Sequence, residues 1–476
     1  MLFQSLDYAV FLVFAVAVYW ALSWHRLARL CFLFGVSCLF YMAWHPAYIG
    51  LILGSSLLDY VASVKIHGTS DHRTRKVWLV VSIGANLALL GVFKYYNFGA
   101  EAAEDLFGLL GMEFVLPHLK WLLPVGISFY TFEAISYTVD VYRGICSPAK
   151  SLLEFWVFIT YFPRLVAGPI VRPREFLPQL MSKPSLDVTR ASRGLFLIAV
   201  GLIKKVAVAD ILSINLVDRV FASPDFYSAT EVVIGLYAFT MQIYCDFSGY
   251  TDVARGSAML MGLELPENFD RPYQSRNPAE FWRRWHMTLS TWLRDYLYFP
   301  LGGSRVGPAR AYFNLGLTMF LIGLWHGASW TFVFYGLLQA TAMVGHRFVH
   351  RWRNRNDGDP SEPDTVAVTV FKVFLNLQFV VFSRILFRAE DLANAKHVAS
   401  RLFSGTYSTA QVSMWMWVLL VGTFALHYVP RGFFRSLEVR FLRLPHAAQG
   451  VVFALAMIGL RFVASSEVVP YIYYQF

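Results

Sequence analysis

Charge is what this chain has least of. Asp, Glu, Lys and Arg make up 15% of its 476 residues, against about 25% in soluble globular proteins, while 57% of the residues are hydrophobic and 17% aromatic. That shortage excludes an ordinary water-facing surface. Cysteine is scarce too. Cys31, Cys38, Cys146 and Cys245 show neither metal-ligand spacing nor a disulfide framework, and Cys31 and Cys38, sharing one apolar segment, read as small core residues. There is no P-loop, no G-x-S-x-G elbow and no H-E-x-x-H, so no nucleotide-hydrolysis motif powers transport and no metal site is expected. The N-terminal MLFQSLDYAVFLVFAVAVYWALSWHR lacks a basic n-region and a small-residue cleavage site, so it reads as an uncleaved first span. No internal repeat and no long polar linker is visible, and residues 1–476 read as a single membrane-embedded domain.

What the chain has in abundance is apolar segments near bilayer length. Candidate spans fall at 7–23, 27–44, 46–64, 77–96, 121–140, 152–171, 193–215, 229–247, 312–326, 328–347, 366–387, 412–429 and 447–463, giving an all-α polytopic membrane protein with about 11 to 13 crossings. The net charge of +10 sits in short loops beside these spans, such as HRLAR at 25–29 and KIHGTSDHRTRK at 65–76. This is the positive-inside pattern of topology, not a nucleic-acid footprint, and it places both termini outside. Strict alternation cannot satisfy every loop, so one segment between 121 and 247 is expected to be re-entrant or interfacial. Residues 357–364 (DGDPSEPD) read as a solvated linker. Pro124, Gly126, Pro163, Gly168 and Pro169 interrupt two spans near Glu133, Asp140 and Arg164, where buried charge must be paired or hydrated; a polar cavity there and a simple membrane–water boundary are both open. Lys204 and Lys205 are expected to snorkel to the surface.

Polar residues concentrate between Gln242 and Gln339. Asn277-Pro278-Ala279-Glu280 has the grammar of a capped helix start. Trp282, Trp285, Leu289, Trp292, Tyr296 and Phe299 then follow a 3-4 spacing, which predicts one amphipathic helix over 278–299, too polar to span lipid alone. The arginines around it, Arg283 and Arg284 among them, fit either an anionic acyl donor or lipid headgroups and topology. His286 lies beside the tryptophan stripe and reads by itself as a packed residue. His326, in LIGLWHGASW, sits in an apolar segment where an imidazole costs free energy unless it has a task or a partner. Gly323 and Gly327 bracket it and permit close helix packing or a local break. An imidazole with a pKa of about 6.5 suits general-base work.

QIYCDFSGYTDVARG, NFDRPYQSRNPAEFWRRWHMTLSTWLRDYLYFPLGG and GLWHGASWTFVFYGLLQA together resemble the membrane-bound O-acyltransferase (MBOAT) family, in its bacterial branch that O-acetylates exported polysaccharides such as alginate or cellulose. LPVGISFYTFEAISYTVDVYRG, FPRLVAGPI and PYIYYQF strengthen the resemblance, whose core motifs cover roughly 120–340. It implies a helical bundle around a central tunnel, with short re-entrant or interfacial helices. It implies transfer of an acyl group, here acetyl, from a cytoplasmic thioester donor such as acetyl-CoA to a hydroxyl, with no bound cofactor. By motif, His326 falls on the family's signature histidine and takes the catalytic base; His286 falls on the second histidine, also of the catalytic site, with a positioning or donor-side role. Donor contacts are expected from Arg283, Arg284, Trp285 and Asp246. The resemblance also implies a bacterial inner-membrane location and a separate periplasmic acetyltransferase or carrier as partner, for which PYIYYQF is either a docking surface or an interfacial aromatic belt. A teichoic-acid-type D-alanyl transferase, or a transporter without chemistry, are the competing readings.

Overall fold

With no water in a bilayer core, backbone N–H and C=O groups must be satisfied within the segment, so long apolar stretches become helices. The computed structural model of the chain describes residues 1–356, 364–464 and 469–472, and each of the expected apolar segments in it carries helix. The expected linker at 357–364 falls almost wholly outside the described residues, as do residues 473–476. Among the described residues, four helical stretches are long and apolar enough by length and composition to cross a membrane: Tyr48–His67, His72–Leu109, Val366–Arg388 and His446–Val463. Only 11–33% of each of these spans is buried, so most of their apolar side chains face outward, as a lipid solvent requires. Cys31 also faces outward and Cys38 is only part-buried; of the four cysteines, Cys245 alone is buried.

The chain divides into two compact units. The first holds residues 1–198 and 250–266. In it, Ser5 caps the helix Leu6–Ala21 by accepting from the Tyr8 amide, and the Tyr8 hydroxyl meets Ser257 Oγ at 2.8 Å. Asp59 is fully buried and accepts from Ser82 (2.6 Å) and Asn86 (2.8 Å). The helix Ile127–Tyr142 starts at Gly126, whose φ of +78° and 2.5 Å approach to the Leu165 carbonyl exclude a side chain. The expected break after 152 is present: Leu152–Thr160 is a nine-residue helix, about 14 Å long and far short of a bilayer. The non-helical backbone that follows it through Arg172 is buried in protein. There Glu133 and Arg164 form a buried ion pair, and Glu133 also accepts from the Val171 amide at 3.2 Å. These two charges take the pairing that burial demands.

The second unit holds residues 199–249 and 267–476. In it the helix Pro308–His326 packs against Trp330–Asn356. Gly323 makes this approach possible, since a methyl group placed there would lie 2.4 Å from the Gly336 Cα. Small residues at such a crossing let backbones touch, and packing of this kind is what holds helices together in lipid. We therefore expect Gly323→Ala to lower the melting temperature of the detergent-solubilised protein, by a cost of about 1–3 kcal/mol. Gly345→Ala, on the same pair of helices but in open space, should leave it unchanged or raise it.

Candidate active site

The site is built in the second unit from a chain that refuses to stay helical. Asn277 caps the helix Pro278–Arg284, accepting from the Glu280 amide at 2.8 Å, with proline in the first turn. The Glu280 carboxylate reaches back one residue further than a capping box, accepting from the Arg276 amide (3.0 Å) and also from the Arg284 guanidinium (2.6 Å). The single helix expected over 278–299 is not what forms. It breaks at Trp285–His286, resumes as Met287–Leu293 and widens into a π turn at Arg294–Tyr298. The cause lies outside the segment. Backbone from the Asn268 loop pairs across the break, with Met287 N–H donating to Asn268 O at 3.0 Å and Asp270 N–H donating to Arg284 O at 2.9 Å. His286 takes up the turn with φ 44°, ψ 55°. Only His286 and Arg271 adopt positive φ among the described non-glycine residues, a conformation that costs of order 1–3 kcal/mol and tends to mark functional segments.

His286 is fully buried. Its Nδ1 lies 3.2 Å from Asn268 Oδ1, which also accepts from the Thr288 amide (3.2 Å) and hydroxyl (2.9 Å). Because Asn268 Oδ1 receives the Thr288 N–H it must be the acceptor, so His286 Nδ1 carries the hydrogen and Nε2 is the basic nitrogen. Burial pushes the His286 imidazole down to about 3, so the ring is neutral at cellular pH. Phe247 packs edge-on at 4.8 Å and Trp325 at 5.6 Å.

Trp325 joins the two histidines. Its ring centroid lies 5.6 Å from His286 and 5.1 Å from His326. His326 is the last residue of the helix Pro308–His326 and is 2% exposed. Gly327 ends that helix in extended backbone, and a side chain there would collide with the Phe332 ring. Both expected uses of the glycines are therefore realised, packing at Gly323 and a break at Gly327. Phe387 (5.0 Å), Phe332 (6.4 Å) and Tyr335 (6.4 Å) complete an aromatic shell around His326.

The remaining expected site residues divide. Trp285 is buried and stacks on Phe281 at 5.6 Å. Arg283 is exposed, and Arg284 is part-buried against Glu280. Asp246 is committed elsewhere: it accepts from Lys205 Nζ at 2.6 Å and from the Ile472 amide at 2.7 Å. Lys205 also meets Asp210 (2.8 Å) and the Pro470 carbonyl (3.3 Å), under the Tyr471 ring. Lys205 does not snorkel, because a π turn at Ile203–Ala209 directs it inward to two carboxylates. Tyr471 and Ile472 are buried, and so belong neither to a docking surface nor to an aromatic belt.

Three participants were not anticipated: Asn268; His427, whose Nε2 accepts from the Tyr273 amide at 3.2 Å; and Arg384, 1% exposed, with its guanidinium 4.9 Å from the Trp285 ring. Arg384 carried a usable signal, a charge inside the apolar run 366–387.

A model of the membrane-bound O-acyltransferase family matches residues 148–386, a stretch that contains both histidines, Asn268, Trp325 and Arg384 and ends one residue short of Phe387. The chain belongs to the membrane-bound O-acyltransferase family. It is thus an acyltransferase and a multi-pass membrane protein. It is 40% identical over 376 residues to a probable alginate O-acetylase AlgI of Pseudomonas putida, covering 78% of this chain and 73% of that one. It is 35% identical over 390 residues to a peptidoglycan O-acetyltransferase of Helicobacter pylori (76% and 71%) and 28% identical over 272 residues to a teichoic acid D-alanyltransferase of Bacillus subtilis (55% and 68%).

The Lys205 cluster makes a direct prediction about this acyltransferase. Lys205→Met leaves Asp210 and Asp246 buried without their counter-charge, a loss of about 3–5 kcal/mol. It should show as a lower melting temperature together with faster deuterium uptake at the peptide containing Ile472.

Proposed function

We propose that this acyltransferase passes acetyl groups from a cytoplasmic thioester, acetyl-CoA or a similar donor, to a hydroxyl acceptor, in the bacterial inner membrane, for O-acetylation of an exported polysaccharide of the alginate type. The observation that carries the reading is His326. It is a buried imidazole at a helix end, enclosed by aromatic rings and linked through Trp325 to a second buried histidine. Identities of 35–40% to alginate and peptidoglycan O-acetyltransferases support acetyl as the group moved, over the D-alanyl group of the 28% relative. Both units, 1–476 together, act as one enzyme domain, since the family match runs through both.

In this mechanism the acceptor oxygen attacks the thioester carbonyl carbon while His326 takes the hydroxyl proton. The carbon–sulfur bond then breaks, and the thiolate leaves with the proton that His326 returns. His286, neutral and held by Asn268, positions the acceptor side of the same cluster through Trp325. Arg283, Arg284 and Trp285 receive the donor. Asp246 acts at one remove, holding Lys205 and the backbone at Ile472. A separate periplasmic acetyltransferase or carrier accepts the acetyl group for delivery to the polymer.

His326→Ala should insert and melt like wild type yet drop acetyl transfer by about 10²–10⁴-fold, the usual worth of general-base catalysis. Full acetyl content on the polymer made by cells carrying the variant would end the base assignment. Arg283→Ala combined with Arg284→Ala should weaken acetyl-CoA binding and flatten its dependence on salt. An affinity that does not move would return these arginines to topology.

A further inference from the structure

Arg384 stands out among the buried charges. Glu133 faces Arg164, and Lys205 faces Asp210 and Asp246, but no carboxylate among the described residues pairs with Arg384. Its side chain is 1% exposed, and its Nε and Nη2 have no hydrogen-bond partner. A buried guanidinium left so is costly unless an anion visits it.

Its surroundings say where such an anion would sit. The Tyr273 and Tyr335 hydroxyls interact with the guanidinium. Tyr273 is itself fixed, donating to the Thr240 carbonyl at 2.5 Å. The Arg384 guanidinium lies 4.9 Å from the Trp285 ring and 5.4 Å from the Phe387 ring. That same Phe387 ring is 5.0 Å from His326 and 5.2 Å from Tyr335. Arg384 and His326 therefore share Phe387 as a neighbour, and Tyr335 lies near both. A fixed cation with unused donors, beside a general base and shielded from water, is the arrangement that stabilises charge developing on a carbonyl oxygen.

We propose that Arg384 is a catalytic residue that binds the oxyanion formed when the acceptor attacks the acyl thioester. This rests on the acyl-transfer reading given above. As the acceptor oxygen adds to the carbonyl carbon and its proton passes to His326, the carbonyl oxygen gains the electron pair of the π bond. Nε–H and Nη2–H of Arg384 donate to that oxygen. When the carbonyl re-forms, the carbon–sulfur bond breaks and the thiolate departs with the proton from His326. The Tyr273 and Tyr335 hydroxyls and the Trp285 face keep the guanidinium aimed while the charge forms and disperses. Lysine lacks the planar fork, so it is not an adequate replacement.

Two measurements on the full-length chain in liposomes test this. The first follows thiol release from acetyl-CoA with the purified periplasmic acetyltransferase of the same polysaccharide system as acceptor. Arg384→Gln should lower kcat about 10²–10³-fold with little change in the KM for acetyl-CoA. Arg384→Ala should be partly rescued by added methylguanidinium, and Arg384→Lys should recover much less than that. The second needs no turnover. Acetate serves as a small oxyanion probe, its binding read by saturation transfer to its methyl signal. Wild type and His326→Ala should bind it, and Arg384→Gln should not. Equal acetate binding by wild type and Arg384→Gln, or an Arg384→Gln variant with wild-type kcat, would overturn the proposal. Those results differ from the failure of the acyl-transfer reading, which is His326→Ala retaining transfer.

Discussion

Charge held inside an apolar bundle must find an opposite charge or a set of hydrogen-bonding groups, and this constraint shapes much of the molecule. Glu133 and Arg164 satisfy it as a pair, and Lys205 satisfies it with two carboxylates and a backbone carbonyl. Arg29, also buried, satisfies it without an acid, donating to the Leu180 and Ser182 carbonyls. Segments that bring such partners together cannot all be straight helices. The buried non-helical stretch after Thr160 and the π turn around Lys205 both occur where a charge is being delivered to its partner. Irregular backbone at membrane depth is tolerated under this condition, because protein takes the place of water.

The same logic explains why the histidine cluster stands on helix ends. A continuous helix satisfies its own backbone and offers a ligand only side chains pointing radially outward. His326 is the last residue of one helix and His286 occupies the gap between two, so both rings stand where the helical ladder stops. Asn268 holds the gap open from outside. One amide oxygen there takes three contacts, from His286, the Thr288 amide and the Thr288 hydroxyl. Electrostatics reinforce the loop. Burial works against ionisation of Asp270, but hydrogen bonds from Arg431 and the nearby charges of Arg431, Arg284 and Arg271 outweigh it and hold the carboxyl below its usual range.

Hydropathy made the helices legible, because lipid leaves few alternatives to a segment of about 20 apolar residues. The Asn277 cap was legible for the same local reason. The break at Trp285–His286 was not: the 3-4 spacing of Trp282, Trp285, Leu289 and Trp292 runs straight through it, and only the distant Asn268 loop interrupts the ladder. Lys205 was misread because period alone gives no notice of a π turn, which rotates a side chain away from where an α-helix would point it. The adjacency of His286 and His326 through Trp325 is likewise tertiary. In the sequence His326 stood out as an anomaly and His286 read as a packed residue, with nothing to give the distance between them. Arg384 was within reach, since a charge well inside an apolar span asks for a partner or a task.

The grip of Asp246 on the Ile472 amide also has a consequence in time. The two residues are 226 positions apart. At translation rates of roughly 5–20 residues per second, Asp246 enters the membrane about 10 to 45 seconds before its distant partner has been made. Over that interval Lys205, only 41 positions upstream of Asp246, is already available, so the ion pair has both of its members before the segment carrying Ile472 exists. Sequence separation alone thus sets which contacts of Asp246 can be made early in synthesis and which must wait for the C-terminal segment.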